Sequence, residues 1–249
     1  MAEKPRDPAV SIWVKPPKRS RRGSAPSGLS RERIVRATVE LLDADGVAAF
    51  SMRRLAAELE VTAMSLYWYV DTKDDLLELA LDEAFAPLGA TTLEDHGDWR
   101  RHLRTLAHQY RSCYQHHPWA PQLAGQFLPL GPNSLLFSNS AVGAMTHSGL
   151  PAEQFGAALG LLFEFVYGHA VIESLWLARV RASGLSEDEF YRELYGVIEQ
   201  ATPGFVENAD LMANQPRAGQ AAVRDLRFAQ SLDLALAGIE ATIAAAAAG

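Results

Sequence analysis

The residues with the greatest capacity for metal or acid–base chemistry in this 249-residue chain are its seven histidines. They are His96, His102, His108, His116, His117, His147 and His169. A zinc site on a helix favours two histidines four residues apart, and none of the first five has such a partner. The spacing therefore predicts no metal centre and no metal cofactor.

The chain also lacks the short motifs that carry most enzymatic chemistry. It has no glycine-rich phosphate loop and no recognisable set of nucleophile and general base. Cys113 is the only cysteine, so an intrachain disulfide is excluded and a reducing compartment is favoured. We therefore predict that the chain is not an enzyme.

Residues 46–77 have the caps and apolar spacing of two short helices joined by a tight turn. Ser51 and Thr62 stand where helix N-caps belong, and the apolar stripe between them can face a core. Glu60 and Val61 form the turn. Two helices joined by so short a turn are typical of a helix-turn-helix, whose second helix enters the major groove of DNA.

Helical periodicity extends over the rest of the chain, and no segment alternates convincingly at the spacing of a strand. We predict that the second of these short helices, the recognition helix, covers about residues 62–69, and that further helices lie at about residues 30–45, 72–88, 98–116, 119–128, 132–147, 152–183, 186–200 and 219–247. Ser30 and Thr72 can cap the helices at 30–45 and 72–88, and Gly46 can stop the first of them. Residues 89–97 and 202–218 are predicted loops. The predicted fold class is therefore all-α, with an N-terminal helix-turn-helix domain followed by a helical body.

Residues 1–28 differ in composition from the rest of the chain. The segment is rich in Pro, Ser and Gly and carries seven basic residues against two acidic ones. Such a sequence cannot build a core, so we predict a basic flexible arm that either follows DNA or is a solvated tail. Within the arm, Ile12, Trp13 and Val14 form a small apolar anchor that could dock on the folded part.

The net charge of -7 argues against a chain that binds nucleic acid over its whole surface. It leaves room for one basic face on an acidic body. The most apolar stretch, residues 155–180, is interrupted by Glu164, Glu173 and Arg179, which makes it too polar for a membrane span. We predict a soluble, cytoplasmic protein without a membrane partner.

Residues 30–80 resemble the DNA-binding domain of the tetracycline-repressor (TetR) family of bacterial regulators. The residues that carry the resemblance are Ala37, Leu41, Leu42, Gly46, the run SMRRLA at 51–56, Val61, the run SLYWYV at 65–70, Lys73, Leu76 and Leu77. The run at 65–70 with Lys73 is similar to the tetracycline-repressor branch itself. Over residues 98–249 the resemblance is one of helix count and length only.

The resemblance implies an all-helical homodimer. Residues 29–76 would bind an operator in double-stranded DNA, and residues 77–249 would bind a small effector and dimerise. Two recognition helices on a twofold axis imply a palindromic operator with adjacent major-groove half-sites. The dimer would form through the two longest helices, near 152–183 and 219–247, unless both helices are only intramolecular core.

Matching positions imply a set of residues that face DNA. They are Ser51, Arg53, Thr62, Ala63, Met64, Ser65, Tyr67, Trp68, Tyr69 and Lys73. The planar fork of Arg53 fits the O6 and N7 atoms of guanine together. Lys73 begins the next helix, where its charge and the backbone N–H groups can meet a phosphate.

The other members of this set have simpler roles. Ala63 and Met64 offer apolar contact to thymine methyl groups, Ser65 can reach a base edge or a phosphate, and the Tyr67 hydroxyl can donate to a phosphate. Trp68 either faces DNA or packs beneath the helix. The neighbouring apolar residues of the run are predicted to be core only.

The turn departs from the family pattern. Glu60 stands where most relatives have glycine. A left-handed backbone costs a non-glycine residue about 1 kcal/mol. Either the turn accepts this strain, or its geometry differs slightly.

Aromatic residues are frequent between residues 85 and 170, and at helical spacing they are either core or the lining of an effector site. The predicted lining is Phe85, Tyr110, Phe127, Phe137, Phe163 and Tyr167, with Glu164 as a polar contact. Tetracycline repressors hold a magnesium–drug complex with histidines, and the matching positions near Gly89 and Ala124 have none. The expected effector is a larger apolar or aromatic molecule rather than magnesium-tetracycline.

The predicted function is transcriptional regulation, with repression the usual sign in the family. Effector binding would swing helix 72–88, which joins the two halves, and release the operator. Two alternatives remain at this point. The chain could be a constitutive DNA-binding dimer without a ligand, or a helical enzyme fused to a DNA-binding domain.

Overall fold

The computed structural model of the protein describes residues 11–14, 29–89, 98–202 and 219–248. Every regular element in these ranges is a helix, which confirms the predicted all-α class. The rest of the predicted basic arm and most of the two predicted loops lie outside the described residues. The chain divides by its contacts into two units, Met1–Gly149 and Leu150–Gly249, and each is described by itself.

The described part of the first unit contains eight helices. They are α1 (Arg31–Ala49), α2 (Met52–Glu58), α3 (Ala63–Leu66), α4 (Lys73–Ala84), α5 (Ala86–Gly89), α6 (Trp99–His116), α7 (Ala120–Ala124) and α8 (Pro132–Thr146). The second unit begins with a single 3-10 turn at Ala152–Gln154. It continues with α9 (Phe155–Ser183), α10 (Glu187–Ala201) and α11 (Gln220–Ala248). The boundary predicted between residues 76 and 77 separates a DNA-binding part from an effector-binding part. It differs from the boundary that the contacts define at Gly149, and it stays a prediction.

Local signals account for the start of α1 and for a kink within it. The Ser30 hydroxyl accepts a hydrogen bond from the Arg33 N–H at 3.1 Å, as an N-cap should. At Gly46 the backbone leaves helical geometry, with φ of 75° and ψ of 175°. Since glycine adopts positive φ without steric cost, Gly46 breaks the helix where the sequence predicts a stop.

Three helices are shorter than their periodicity predicts. The helix predicted at 72–88 divides at Phe85 into α4 and α5, because Pro87 has no N–H to donate to the Glu83 carbonyl. The predicted helix 119–128 ends at Ala124 and is followed by Gly125. The recognition helix, predicted over 62–69, has α-helical geometry only over α3.

The core of the first unit forms where α1 packs against α4 and where α2 packs against α3. Its completely buried side chains include Ile34, Leu42, Leu55, Leu66, Val70, Leu76 and Leu88. Full burial of such a side chain contributes about 1.5–3 kcal/mol relative to exposure. Leu66 and Val70 belong to the recognition segment, which comprises residues 62–70. Their burial confirms that these two residues are core.

In the second unit, α9 contacts both α10 and α11. Glu173 is buried in the middle of α9, and one of its oxygens accepts from the Nε of Arg224 on α11 at 2.7 Å. The same arginine also bonds Glu187 at the start of α10, and Glu187 accepts from the indole N–H of Trp176 at 2.7 Å. These contacts tie the three helices together through one polar cluster.

The two longest helices also pass a length and composition test for a membrane span. Residues Ala152–Ser183 and Gln220–Ala248 both qualify, with only 22% and 17% of their apolar windows buried. The expectation that charged residues exclude such a span from residues 155–180 was therefore too strong, since an 18-residue window with few charges exists there. Core helices of soluble proteins pass the same test, so the finding points to apolar faces that need a cover.

Candidate nucleic-acid interface

Two hydroxyl caps hold α2 and α3 in place. The Ser51 hydroxyl accepts from the Arg54 N–H at 3.2 Å, and the Thr62 hydroxyl accepts from the Ser65 N–H at 3.3 Å. The side-chain oxygens of Thr62 and Ser65 are also 2.9 Å apart. Both predicted caps are confirmed, and Ser51 and Thr62 thus have a structural task at the sites where DNA contacts are predicted.

The turn between α2 and α3 has the left-handed geometry that glycine would favour. Glu60 has a φ of 56°, and it is the only non-glycine residue with positive φ in the described part of the chain. Its N–H donates to the Ala57 carbonyl at 3.2 Å, and the Val61 N–H donates to the Ala56 carbonyl at 2.9 Å. The turn therefore accepts the backbone strain and keeps its hydrogen bonds.

The outer surface of the recognition segment exposes large apolar side chains. Met64 is 71% exposed, Trp68 49% and Tyr67 40%. The half-exposed indole of Trp68 favours the interpretation that it faces DNA over the one that it packs beneath the helix. Arg53 on α2 is exposed as well, while Ala63 and Ser65 are half-buried.

Beyond Leu66 the recognition segment tightens into a turn. The Trp68 N–H donates to the Ser65 carbonyl at 3.4 Å, and the Tyr69 N–H donates to the Leu66 carbonyl at 2.9 Å. The Tyr69 hydroxyl donates to the Leu29 carbonyl at 2.7 Å, just before α1. Tyr69 thus fastens the end of the segment to the start of α1, a role that the sequence did not reveal.

Lys73 begins α4 beside this surface. Its Nζ atom lies 5.5 Å from the centroid of the buried Phe50 ring, close enough for a cation–π contact. Thr72 and Asp75 form a reciprocal capping box at the start of the same helix. The predicted cap is confirmed, and the helix start is positioned beside the recognition segment.

Two buried acids on α4 hold other parts of the first unit. The Asp82 carboxylate accepts from the Ser134 N–H and hydroxyl, both at 2.9 Å, and from the Asn133 N–H at 3.2 Å. It therefore caps the start of α8 from another helix. Gly131 permits the approach, because a Cβ there would lie 2.2 Å from the Asp82 side chain.

Another buried acid of α4 is Glu78, which binds the segment 11–14. The Ser11 hydroxyl and the Ile12 N–H both donate to its carboxylate, the latter at 3.1 Å. The segment thus docks on the folded part, but through a hydroxyl and an N–H rather than as the predicted apolar anchor, since Val14 is 62% exposed. Sequence reasoning missed both acids, although Asp75, Glu78 and Asp82 recur at helical spacing among the apolar residues of the buried side of α4.

A further joint connects α1 with the chain that follows α6. One oxygen of Asp43 accepts from the indole N–H of Trp119 at 2.6 Å and lies 2.8 Å from the Nδ1 atom of His117. Trp119 is 4% exposed, so the indole is bound in a nearly dry environment. The half-buried histidine thus takes part in a hydrogen-bonded joint with Asp43.

Part of the predicted effector lining is a packed aromatic cluster in the first unit. The Tyr110 ring centroid lies 5.8 Å from that of Phe85 and 5.2 Å from that of Phe137. Tyr114, which was not in the predicted lining, joins the cluster 4.6 Å from Tyr110, and the two hydroxyls are hydrogen-bonded. Phe127 is half-buried.

The rest of the predicted lining belongs to the second unit. Phe163 and Tyr167 are half-buried on α9. Glu164, the predicted polar contact, is exposed, so its carboxylate can be solvated by water. The buried acid of α9 is instead Glu173, whose carboxylate accepts from Arg224.

The Cys113 thiol lies next to the cluster and is buried. Burial, with the nearby Asp43 carboxylate as a smaller cause, raises the pKa of the Cys113 thiol to about 12. The thiol donates to the Ala84 carbonyl at 3.1 Å. Among the described residues, no group of three or more histidine, cysteine, aspartate or glutamate side chains could hold a metal ion.

Comparisons with known proteins cover both halves of the chain. The model of bacterial regulatory proteins of the tetR family matches residues 34–80, and that of the tetracyclin repressor-like C-terminal domain matches residues 91–243. An HTH-type transcriptional regulator of Saccharopolyspora erythraea is 38% identical over 67% of this chain and 69% of its own length. The HTH-type transcriptional repressor DrrR1 of Streptomyces coeruleorubidus is 32% identical over 74% and 67%.

Solved structures agree with these relatives. ActR of Streptomyces coelicolor without ligand matches 86% of this chain and 98% of its own, with a TM-score of 0.66 and 27% identity. ActR in complex with actinorhodin covers 86% and 97%, with a TM-score of 0.69 and 27% identity. The chain therefore belongs to the TetR family and is a DNA-binding transcriptional regulator with an N-terminal helix-turn-helix.

Proposed function

We propose that this regulator represses transcription by binding a palindromic operator as a homodimer, and that an apolar or aromatic effector releases it. The observation that carries the proposal is the recognition segment, whose Met64, Tyr67 and Trp68 side chains are exposed while Leu66 and Val70 anchor it from beneath. Exposed apolar side chains of this size are expected at a binding surface. Twofold symmetry would place two such segments about 34–36 Å apart, in successive major grooves.

Arg53 is our candidate for the main base contact. Its side chain is exposed on α2, and the guanidinium fork can bind O6 and N7 of guanine together. The neighbouring Arg54 is already paired with Asp45 at 2.5 Å. Lys73 is placed to reach a phosphate from the start of α4, and Tyr67 could reach another from the recognition segment.

The remaining members of the predicted DNA-facing set have narrower roles. Ala63 and Met64 would contact thymine methyl groups, and Ser65 a base edge. Ser51 and Thr62 would act mainly by holding α2 and α3 as caps. Tyr69 would act through its bond to Leu29.

A dimer through α9 and α11 would cover apolar surface that the protomer leaves exposed. On α9 the side chains of Leu161, Ile172 and Leu175 are 48%, 71% and 61% exposed, and Leu234 on α11 is 75% exposed. TetR regulators act as dimers, and a four-helix arrangement of the two longest helices with their twins would bury these side chains. Such an interface would account for the apolar composition of α9 and α11 without a membrane span. It would also fit a cytoplasmic protein.

The effector proposal rests on the aromatic cluster around Tyr110 and on the ActR structures. ActR has been solved with (S)-DNPA and with actinorhodin, so a body of this fold can hold a ligand. In this chain the cluster of Phe85, Tyr110, Tyr114 and Phe137 offers ring faces with one pair of hydroxyls. An apolar or aromatic molecule with few polar groups suits such a lining.

Effector binding would act on DNA through α4. That helix begins beside the recognition segment and ends at Ala84, and its C-cap residue Phe85 belongs to the aromatic cluster. A ligand that favours a tilted α4 would change the distance between the two recognition segments. A coupling of about 1–3 kcal/mol would weaken operator binding roughly 5–150-fold.

The DNA part of the proposal can be tested by gel-shift titration with the region upstream of the chain's own gene. Arg53→Lys keeps the positive charge but loses the fork, so operator affinity should fall about 10-fold while affinity for unrelated DNA stays the same. An unchanged operator affinity would remove Arg53 from the base-reading role. The absence of a palindromic site in that region would count against autoregulation.

The effector part needs a separate measurement. A thermal-shift screen of metabolites and antibiotics should find a molecule that raises the melting temperature, and this molecule should weaken operator binding. A constitutive DNA-binding dimer would show neither effect. Turnover of a screened compound would instead support the fused-enzyme alternative.

A further inference from the structure

Residues 11–14 form one turn of chain that lies on the middle of α4. The Val14 N–H donates to the Ser11 carbonyl at 3.2 Å, and the Trp13 N–H donates to the Ser11 hydroxyl at 3.1 Å. The turn thus holds its own shape. The Ser11 hydroxyl and the Ile12 N–H then point at the carboxylate of Glu78.

This contact is buried on both sides. Ser11 is 7% exposed and Glu78 is 2% exposed. A carboxylate in such a position needs hydrogen-bond donors, and losing one typically costs about 1–3 kcal/mol. The segment therefore helps to stabilise the buried carboxylate of Glu78.

Glu78 lies between two other attachment points on the same helix. Asp75 caps the start of α4 beside the recognition segment, and Asp82 caps the start of α8. Through Glu78 the segment 11–14 attaches at a point between the DNA-binding end of the helix and its effector end. It is thus placed to restrain the position of α4.

We propose that residues 11–14 are a strap that holds α4 in its operator-binding position. Ser11 and Glu78 are then positioning residues, which act on DNA affinity through the helix and touch no DNA themselves. The inference rests on the proposed function, in which the position of α4 sets operator affinity. Without the strap, α4 would sample more positions, and the apparent affinity would fall with the fraction that can bind.

A matched pair of truncations tests the strap separately from the basic residues near it. One chain lacks residues 1–10 and the other lacks residues 1–14, each restarted with methionine. They differ only in the uncharged residues SIWV, so all the basic residues from Lys15 onward remain in both. The shorter chain should bind operator roughly fivefold more weakly, with the same dependence on salt.

Equal operator affinity of the two chains would overturn the proposal, and so would tighter binding by the shorter chain. A changed salt dependence would also contradict it, because the number of phosphate contacts would then differ. All titrations are run well below the melting temperature of both chains, so that loss of folding does not imitate loss of position.

Point variants resolve the contact itself. Ser11→Ala removes the hydroxyl and should weaken operator binding in the full chain, while Ser11→Thr keeps the hydroxyl and should restore it. In the Glu78→Gln background, Ser11→Ala should have a smaller effect, since part of the contact is already altered. Additive effects of the two changes would contradict a direct coupling.

Amide hydrogen exchange separates failure of the strap from failure of the proposed function. If the full chain binds no operator, the proposed function is wrong, but exchange still reports on α4. The chain lacking residues 1–14 should show faster exchange along α4 than the chain lacking residues 1–10. Equal exchange would show that the segment does not restrain the helix.

Discussion

At the scale of single residues, Glu60 shows how a tight turn tolerates an unfavourable side chain. Its φ of 56° costs a residue with a Cβ atom about 1 kcal/mol, and glycine would avoid this cost. Glycine also loses more backbone entropy on folding, so part of the gain is offset. The side chain is exposed and α2 and α3 are capped, so the strain does not disrupt the motif.

We predict that Glu60→Gly stabilises the protein slightly, by up to about 0.5 kcal/mol, because relief of strain exceeds the added chain entropy. Urea denaturation of the dimer at fixed concentration measures the change. Glu60→Ala is the matched control, since it removes the charge but keeps the Cβ atom. A gain with alanine equal to that with glycine would show that charge, rather than backbone geometry, limits stability.

The thiol of Cys113 gives a second prediction at this scale. Its pKa of about 12 leaves it neutral at physiological pH, and only the thiolate reacts with alkylating agents. Labelling of the native protein at pH 8 should therefore be slower than about a tenth of the rate in guanidinium chloride. Because Cys113 is the only cysteine, the total amount of label bound to the protein reports this residue alone. Rapid labelling of native protein would mean that the region around Ala84 opens readily.

At the scale of elements, α4 stands out because buried acids attach it to its surroundings. Helix N-termini leave N–H groups without intrahelical partners, and Asp82 satisfies two of them at the start of α8. Glu78 does the same for an N–H of the segment 11–14. The helix is therefore placed by directed hydrogen bonds as well as by apolar contacts.

Replacing Asp82 tests the attachment of α4 to α8. Asp82→Ala should lower the free energy of unfolding by about 2–4 kcal/mol, because several hydrogen bonds to a buried carboxylate are lost together. Asp82→Asn should cost less, since the amide oxygen can still accept. Glu83→Ala is the matched control, as Glu83 is the adjacent, exposed acid of the same helix. Equal losses for Asp82→Ala and Glu83→Ala would show that the bonds to Ser134 and Asn133 contribute little.

At the scale of the whole molecule, two long helices with exposed apolar faces need a partner. Ile172 on α9 and Leu234 on α11 are 71% and 75% exposed, which is more than an isolated soluble protomer would favour. TetR regulators act as dimers, so a second copy of the chain is the natural cover. The oligomeric state can therefore be probed at single positions on these helices.

We predict that Ile172→Glu and Leu234→Glu each shift the protein from dimer toward monomer, because a buried charge at an apolar interface is costly. Light scattering coupled to size exclusion measures the mass over a range of concentrations. Leu136→Glu, on the exposed face of α8 in the first unit, is the matched control and should leave the dimer intact. Dimers of unchanged strength in both test variants would place the interface elsewhere.

Much of the fold follows from local sequence signals. The caps at Ser30, Ser51, Thr62 and Thr72 and the break at Gly46 all appear in the structure where the sequence places them, because capping depends on neighbouring residues only. The apolar period identified the helices and the buried residues of the recognition segment. The same apolar spacing overestimated the length of three helices. It does not show where a proline or a tight turn ends the series of helical hydrogen bonds.

The sequence by itself thus determined the all-α class, the helix-turn-helix and its caps, since each depends on residues only a few positions apart. Tertiary structure alone decided the partners of the buried acids. Ser11 and Glu78 are 67 residues apart, and Glu173 and Arg224 are 51 apart. It also decided that Trp68 is half-exposed, where the sequence had left open whether it packs beneath the helix. These outcomes depend on which helices meet, and no local pattern of charge or apolarity encodes that choice.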